Sequence, residues 1–174
     1  MSVDAIRQLV GPPTSPIDAP DAAGWVAVEA RLGVRLPTDY KRFVSAYGSG
    51  SFDDFRLQVL NFAAPEDWES VTSDYQPLLD EWVEMEMLPP GTPVFPQSGG
   101  ALTWGTNGFG DTLVWMTEGE PDSWPTVAYP SEFEDGVRFD LPATDLVASF
   151  LNGQSLGALS ITLHAPHVFE PSVR

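Results

Sequence analysis

Cysteine is absent from all 174 residues, which excludes disulfide bridges and thiolate metal sites. A reducing compartment fits that absence. Basic residues are scarce as well: eight Lys and Arg stand against 25 Asp and Glu, a net charge of −17. A duplex-binding surface needs clustered cations to release counterions from phosphates, and an anionic membrane attracts the same clusters. Neither partner suits this chain. Long apolar runs are missing too. No window approaches the 18 apolar residues of a membrane span, and the N-terminus has no basic region leading into a long apolar one. The expectation is a cytoplasmic protein that is not exported.

The shortage of cations is uneven. Between Arg56 and Arg138 there is no Lys or Arg, while Glu66, Asp67, Glu69, Asp74, Asp80, Glu81, Glu84, Glu86, Asp111, Glu118, Glu120, Asp122, Glu132, Glu134 and Asp135 all fall there. Ordinary solubility in an acidic proteome accounts for such an excess. So does a face shaped for a basic partner, since complementary charge speeds association and suppresses wrong partners.

What is present is 43% hydrophobic and 11% aromatic, enough for one core in one domain. Trp25 to Leu57 organises it. Asp21 is placed to cap a helix, Trp25, Val28 and Leu32 share a helical face, and Gly33 sits where a left-handed C-cap belongs. Leu36-Pro37 opens a second helix in which Tyr40, Phe43, Val44 and Tyr47 fall at i, i+3, i+4 and i+7. Gly48 and Gly50 end it. From Phe55 through Leu57 and Val59 the pattern alternates as in a strand.

The run W-x-x-x-E-x-x-L-G-x-x-L-P-x-D-Y-x-x-F from Trp25 to Phe43, followed by Y-G-x-G at Tyr47 to Gly50, resembles the signature of the SUKH superfamily. WGTNGFGDTLVW at 104–115 and PDSWPTV at 121–127 are similar to its later strand segments. Together the matches span about residues 22 to 130. That group holds bacterial immunity proteins and fungal cell-wall-assembly regulators. The resemblance implies a scaffold whose signature residues build the core, with partner contacts on a variable surface.

Along the rest of the chain, 1–10 reads as a short helix and GPPTSPIDAP, with its four prolines, as an extended linker. Residues 1–20 are therefore expected to be an N-terminal extension, 21–165 the domain and 166–174 a tail. From Pro65 to Met87, Trp68, Val71, Tyr75, Leu78, Leu79, Trp82 and Met85 form a helical stripe that Pro77 interrupts, giving two segments or one kinked around Asp74 to Gln76. Short strands follow at 102–106, 112–116, 125–129 and 137–139, with Asn107-Gly108 as a hairpin turn. Thr144 is expected to cap a last helix carrying Leu146, Val147, Phe150 and Leu151, with Gly153 behind it. LGALSITLH fits either strand or helix. The order predicts an α+β fold: one mostly antiparallel sheet with helices packed against it.

Catalytic and metal motifs are sparse. His164 and His167 are three apart with Pro166 between them and no third ligand nearby. GSGSF at 48–52 follows a helix, whereas a nucleophile elbow follows a strand. Gly105 to Gly110 lacks the lysine of a phosphate loop and reads as a hairpin turn. Asp53-Asp54 and Glu134-Asp135 fit no calcium spacing and arise readily by chance in an acidic chain. The expectation is no enzyme, no cofactor and no metal. One catalytic alternative is a hydrolase with Trp104, Trp115 and Trp124 stacking on a sugar.

Taken with the resemblance, these features point to an immunity protein that binds a basic toxin domain, such as a nuclease, as a monomer or weak dimer. Its carboxylates would stand in for a phosphate backbone. The expected face holds Asp53, Asp54, Glu66, Asp67, Glu69, Asp80, Glu81 and Glu84, with Trp68 or Trp82 as anchors. The alternative is a scaffold or regulatory protein like the fungal members.

Overall fold

Every third or fourth residue of the first helix is apolar, and that stripe settles where the N-terminus goes. In the structure, a computed structural model that describes residues 2–89, 91–131, 135–154, 159, 161 and 163–173, α1 (Ser2–Leu9) buries Val3 and Ile6, and Val10 follows them in. The Val10 carbonyl accepts the Tyr47 hydroxyl at 2.6 Å. Residues 3–10 are thus part of the core and not an extension. The linker behind them is fixed as well, because Ile17 bridges Gly48. A Cβ at Gly48, whose φ is 70°, would sit 2.1 Å from the Ile17 carbonyl oxygen, so only glycine fits this crossing.

The helix pair follows its pattern. In α2 (Ala22–Leu32), Asp21 accepts the Gly24 N–H at 2.8 Å, and Gly33 at φ 74° returns its own N–H to Glu29. Tyr40, Phe43, Val44 and Tyr47 of α3 (Thr38–Tyr47) are all buried. Where the alternation predicts a strand from Phe55, the chain instead turns. Asp53, Asp54 and Phe55 are all left-handed, at φ of 51°, 58° and 61°, between β1 (Gly50–Phe52) and β2 (Leu57–Val59). Asp tolerates that conformation, and Phe55 is left 61% exposed.

Pro77 is accommodated without a break. α4 (Pro65–Ser70) runs through a π turn at Val71–Tyr75, where the Gln76 N–H reaches back five residues to the Val71 carbonyl, into α5 (Gln76–Glu84). The extra residue in the turn makes room where the proline ring would crowd the preceding turn and its missing N–H would break the ladder. Met85 falls beyond the helix and is exposed.

β3 (Ala101–Thr106), β4 (Thr112–Met116), β5 (Thr126–Tyr129) and β6 (Val137–Phe139) lie close to the predicted strands. The β3–β4 connection is a five-residue loop and not a two-residue Asn-Gly turn: the Asn107 carboxamide oxygen accepts the N–H groups of Phe109 and Asp111, and this outcompetes the tighter turn. In α6 (Ala143–Leu151) Pro142 takes the cap position. Thr144 lies inside the helix, and its N–H and hydroxyl both donate to Asp39 of α3. Gly153, at φ 73°, follows the helix as expected. The tail expected over 166–174 is not free where it is described, to residue 173, because β7 (Phe169–Pro171) pairs with β1. Most of 155–162 and the Glu134 half of the Glu134-Asp135 pair lie outside the described residues.

The seven strands form one antiparallel sheet in the order β6-β5-β4-β3-β2-β1-β7. Strand alternation supplies both faces of it. Leu102, Trp104, Leu113 and Trp115 join the core shared with α1, α2, α3 and α6, while Ala101, Val114 and Tyr129 pack with Leu79 and Trp82 of α5. This is the predicted α+β fold in a single domain, with Trp68, Val71 and Tyr75 of the rod joining the first core and Leu79 and Trp82 of α5 the second.

Candidate functional site

Helical periodicity decides which carboxylates of the rod reach solvent. Val71, Leu79 and Trp82 face inward. Glu66, Glu69, Asp80, Glu81 and Glu84 face outward and are exposed. Asp74 and Glu86 join them, and the expected face had not included those two. Among the described residues none of these seven carboxylates takes part in an ion pair. The cations lie elsewhere. Arg7 and Arg42 both approach Asp4, Lys41 reaches Glu29 at 2.6 Å, Arg35 meets Glu120 and Arg138 meets Asp140. Arg31 donates to the Phe62 carbonyl and lies 4.3 Å from the centre of the Trp68 ring.

Four of the expected contact residues have other placements. Asp67 is buried, with Asn61 N–H donating to it at 2.7 Å and Gln58 Nε2 at 3.3 Å. Burial pushes its carboxyl above the ordinary value, against the pull of the Asn61 N–H. It is an internal acceptor that ties the rod to the segment after β2. Trp82, only 8% exposed, packs edge-on against Tyr129 and cannot serve as an outward anchor. Asp53 and Asp54 stand in the β1–β2 turn, off the rod. Asp53 accepts the Val168 N–H and contacts His167 Nδ1 at 2.7 Å, and the Asp54 N–H donates to Glu170. Trp68 alone of the aromatic candidates is half-buried at the surface, edge-on to Phe62.

Aromatic character in the sequence also suggested a sugar platform. Trp104, Trp115 and Trp124 do assemble, with ring centroids 5.6 and 5.9 Å apart, but they are 0%, 1% and 4% exposed. No ring face is open for stacking. The two histidines do not converge: His164 is exposed, and the second ring nitrogen of His167 lies 2.7 Å from the Leu151 carbonyl.

One feature of the rod lies beyond sequence reasoning. Between the π turn and the loop at Phe95 and Pro96 there is a pocket of about 350 Å³ that Trp68 and Asp80 both line. Its two walls are about twenty residues apart in the chain, so no local pattern signals it. Among the described residues no helix is long and apolar enough to cross a membrane.

The class is therefore an α+β domain built on one antiparallel sheet, with a helical rod whose outward carboxylates make no ion pair among the described residues. The chain belongs to the SUKH superfamily: the family described as SMI1-KNR4 cell-wall matches residues 25–144, from α2 into α6. No curated protein and no solved structure matches it.

Proposed function

We propose that the protein is a non-catalytic binding domain, an immunity protein that neutralises a basic toxin domain, and that it does so in the cytoplasm. The observation that carries this reading is the outward row of carboxylates on the α4–α5 rod, none of them paired with a cation among the described residues. Exposed acidic residues that contribute no internal ion pair remain available to a partner. A nuclease or other nucleic-acid-modifying toxin offers a cleft lined by Lys and Arg for phosphates. Carboxylates that occupy such a cleft exclude substrate, and long-range attraction speeds the encounter.

The test is capture of partners from the native host with this protein as bait, washed at low and at high salt. The expected result is one basic protein, lost at high salt because exposed charges are screened, whose nucleic-acid cleavage the protein then inhibits. Reversing Glu69, Glu81 and Glu84 to lysine should slow association roughly tenfold or more at low ionic strength. Unchanged binding by that variant sinks the assignment. The family's description, SMI1-KNR4 cell-wall, favours a second reading, a scaffold or regulator of cell-wall assembly. Salt-resistant capture of a group of cell-wall or signalling proteins would select it.

A further inference from the structure

The pocket beside the π turn has walls that are already fixed. The Gln76 side chain donates to the Phe95 and Ala101 carbonyls and accepts the Thr103 N–H at 3.1 Å, so it clamps the rod to both the facing loop and β3. A pocket held this way loses little freedom when filled. Trp68, Val71, Pro77, Phe95, Pro96 and Leu102 make its lining mostly apolar. Thr72 and Asp80 complete that lining, and both are exposed. Trp68, Thr72, Gln76, Asp80 and Glu84 recur every four residues, so one row of the rod leads from the pocket toward open carboxylates.

That combination fits a side chain with an apolar stem and a cationic tip. Lysine and arginine have that form, and they lay their stems along apolar surface while the charged end stays in a polar setting. Arg31 already lies against the Trp68 ring, so the incoming charge is drawn to Asp80 and not to the ring face. Resting on the reading of the rod as a surface for a basic partner, we propose that this pocket receives one lysine or arginine side chain of that partner. The stem lies between Trp68, Pro77 and Phe95, and the tip pairs with Asp80. The pocket makes the contact specific, whereas the open carboxylates around it speed the approach.

The probes are the N-acetyl methylamides of arginine and lysine, with citrulline and norleucine as uncharged counterparts, titrated into isotope-labelled protein and followed by NMR. The cationic probes are expected to shift the Trp68 indole and the Thr72 and Gln76 amides saturably. Citrulline should bind about threefold to fivefold more weakly, as should the arginine probe to Asp80→Asn, since an exposed ion pair contributes up to about 1 kcal/mol. Asp80 is exposed, so this substitution leaves the core intact. Trp68→Ala should abolish the shifts near Thr72 while distant amides stay in place. Shifts that ignore charge, or that avoid the pocket, overturn the proposal. Loss of the same signals with rising protein concentration and no probe would give the pocket to a second copy and overturn it too. The two readings fail separately. A captured basic partner that binds Asp80→Asn and Trp68→Ala as tightly as wild type removes the pocket and leaves the acidic face. Charge-dependent probe binding without any captured basic protein removes the face and leaves the pocket.

Discussion

The α2–α3 pair and the α4–α5 rod are both amphipathic, yet they use their polar groups in opposite ways. In the pair, polar groups are turned to internal ties. Glu29 accepts the Leu36 N–H and the Lys41 ammonium, Trp25 Nε1 donates to Ser45, and the Tyr40 hydroxyl, fully buried, donates to the Leu60 carbonyl and accepts the Phe62 N–H. In the rod, Gln76 and Asp67 do the tying, and the outer carboxylates make no ion pair among the described residues. One helix pair turns its polarity to the fold, whereas the rod turns its carboxylates to solvent.

The largest expected effect falls on the pair. Phe43→Ala empties a site that is 1% exposed beside Tyr47 and Phe52, and removing a buried phenyl ring costs about 3–5 kcal/mol. Urea unfolding should show a loss of that size. A loss under about 1 kcal/mol would mean that the pair is less central than its packing indicates. Second comes the clamp of the rod. Gln76→Ala leaves the Thr103 N–H and the Phe95 carbonyl without this side chain, while the Ala101 carbonyl keeps the Phe95 N–H, and an unsatisfied buried group costs about 1–3 kcal/mol. Hydrogen exchange should locate the loosening between α5 and β3, with the pair unaffected.

The pair was legible in the sequence because every signal it uses is local: a cap three residues from the N–H it accepts, apolar residues at helical spacing, a glycine at the C-cap. Strand patterns at β3 to β6 were legible for the same reason. What local signals miss is where an element docks. The α1 stripe announces a helix, but only contact with α6 and α3 makes it core. The Trp82 stripe announces an apolar face, but only the sheet decides that Trp82 is sealed and Trp68 is open. Asp67 looks like its acidic neighbours until Asn61 and Gln58 are brought beside it. Of the candidate site, the exposed carboxylates could be foreseen from charge alone. The pocket could not, since Phe95 reaches it through a loop.

Asp67 gives the third test, through pH. Desolvation raises its carboxyl above the ordinary value, so the folded state holds this proton more tightly than the unfolded chain does. The resulting stabilisation is complete below the unfolded value and is lost as pH rises through the folded one. Relative to Asp67→Asn, the wild type should therefore gain stability as pH falls from neutrality through that window. Parallel pH profiles in urea unfolding would show that Asp67 is as well solvated as Glu66, and the contrast between inward and outward carboxylates on the rod would weaken.

The smallest effect has an unusual sign. Glu81 and Glu84 lie in the last turn of α5, which holds no basic residue, so their charges face the negative end of the helix dipole. Asp80 and Glu84 are also like charges at i and i+4. Each arrangement is unfavourable by a few tenths of a kcal/mol at low salt. Replacing Glu81 and Glu84 by glutamine should consequently raise the melting temperature slightly in low-salt buffer and leave it unchanged in high salt, where both terms are screened. Residues placed for stability would behave the other way. A variant that is marginally more stable yet associates more slowly with a basic partner would show that these carboxylates serve the surface at the expense of the helix. A variant that loses stability would assign them to the scaffold and erase the difference between the two helical regions.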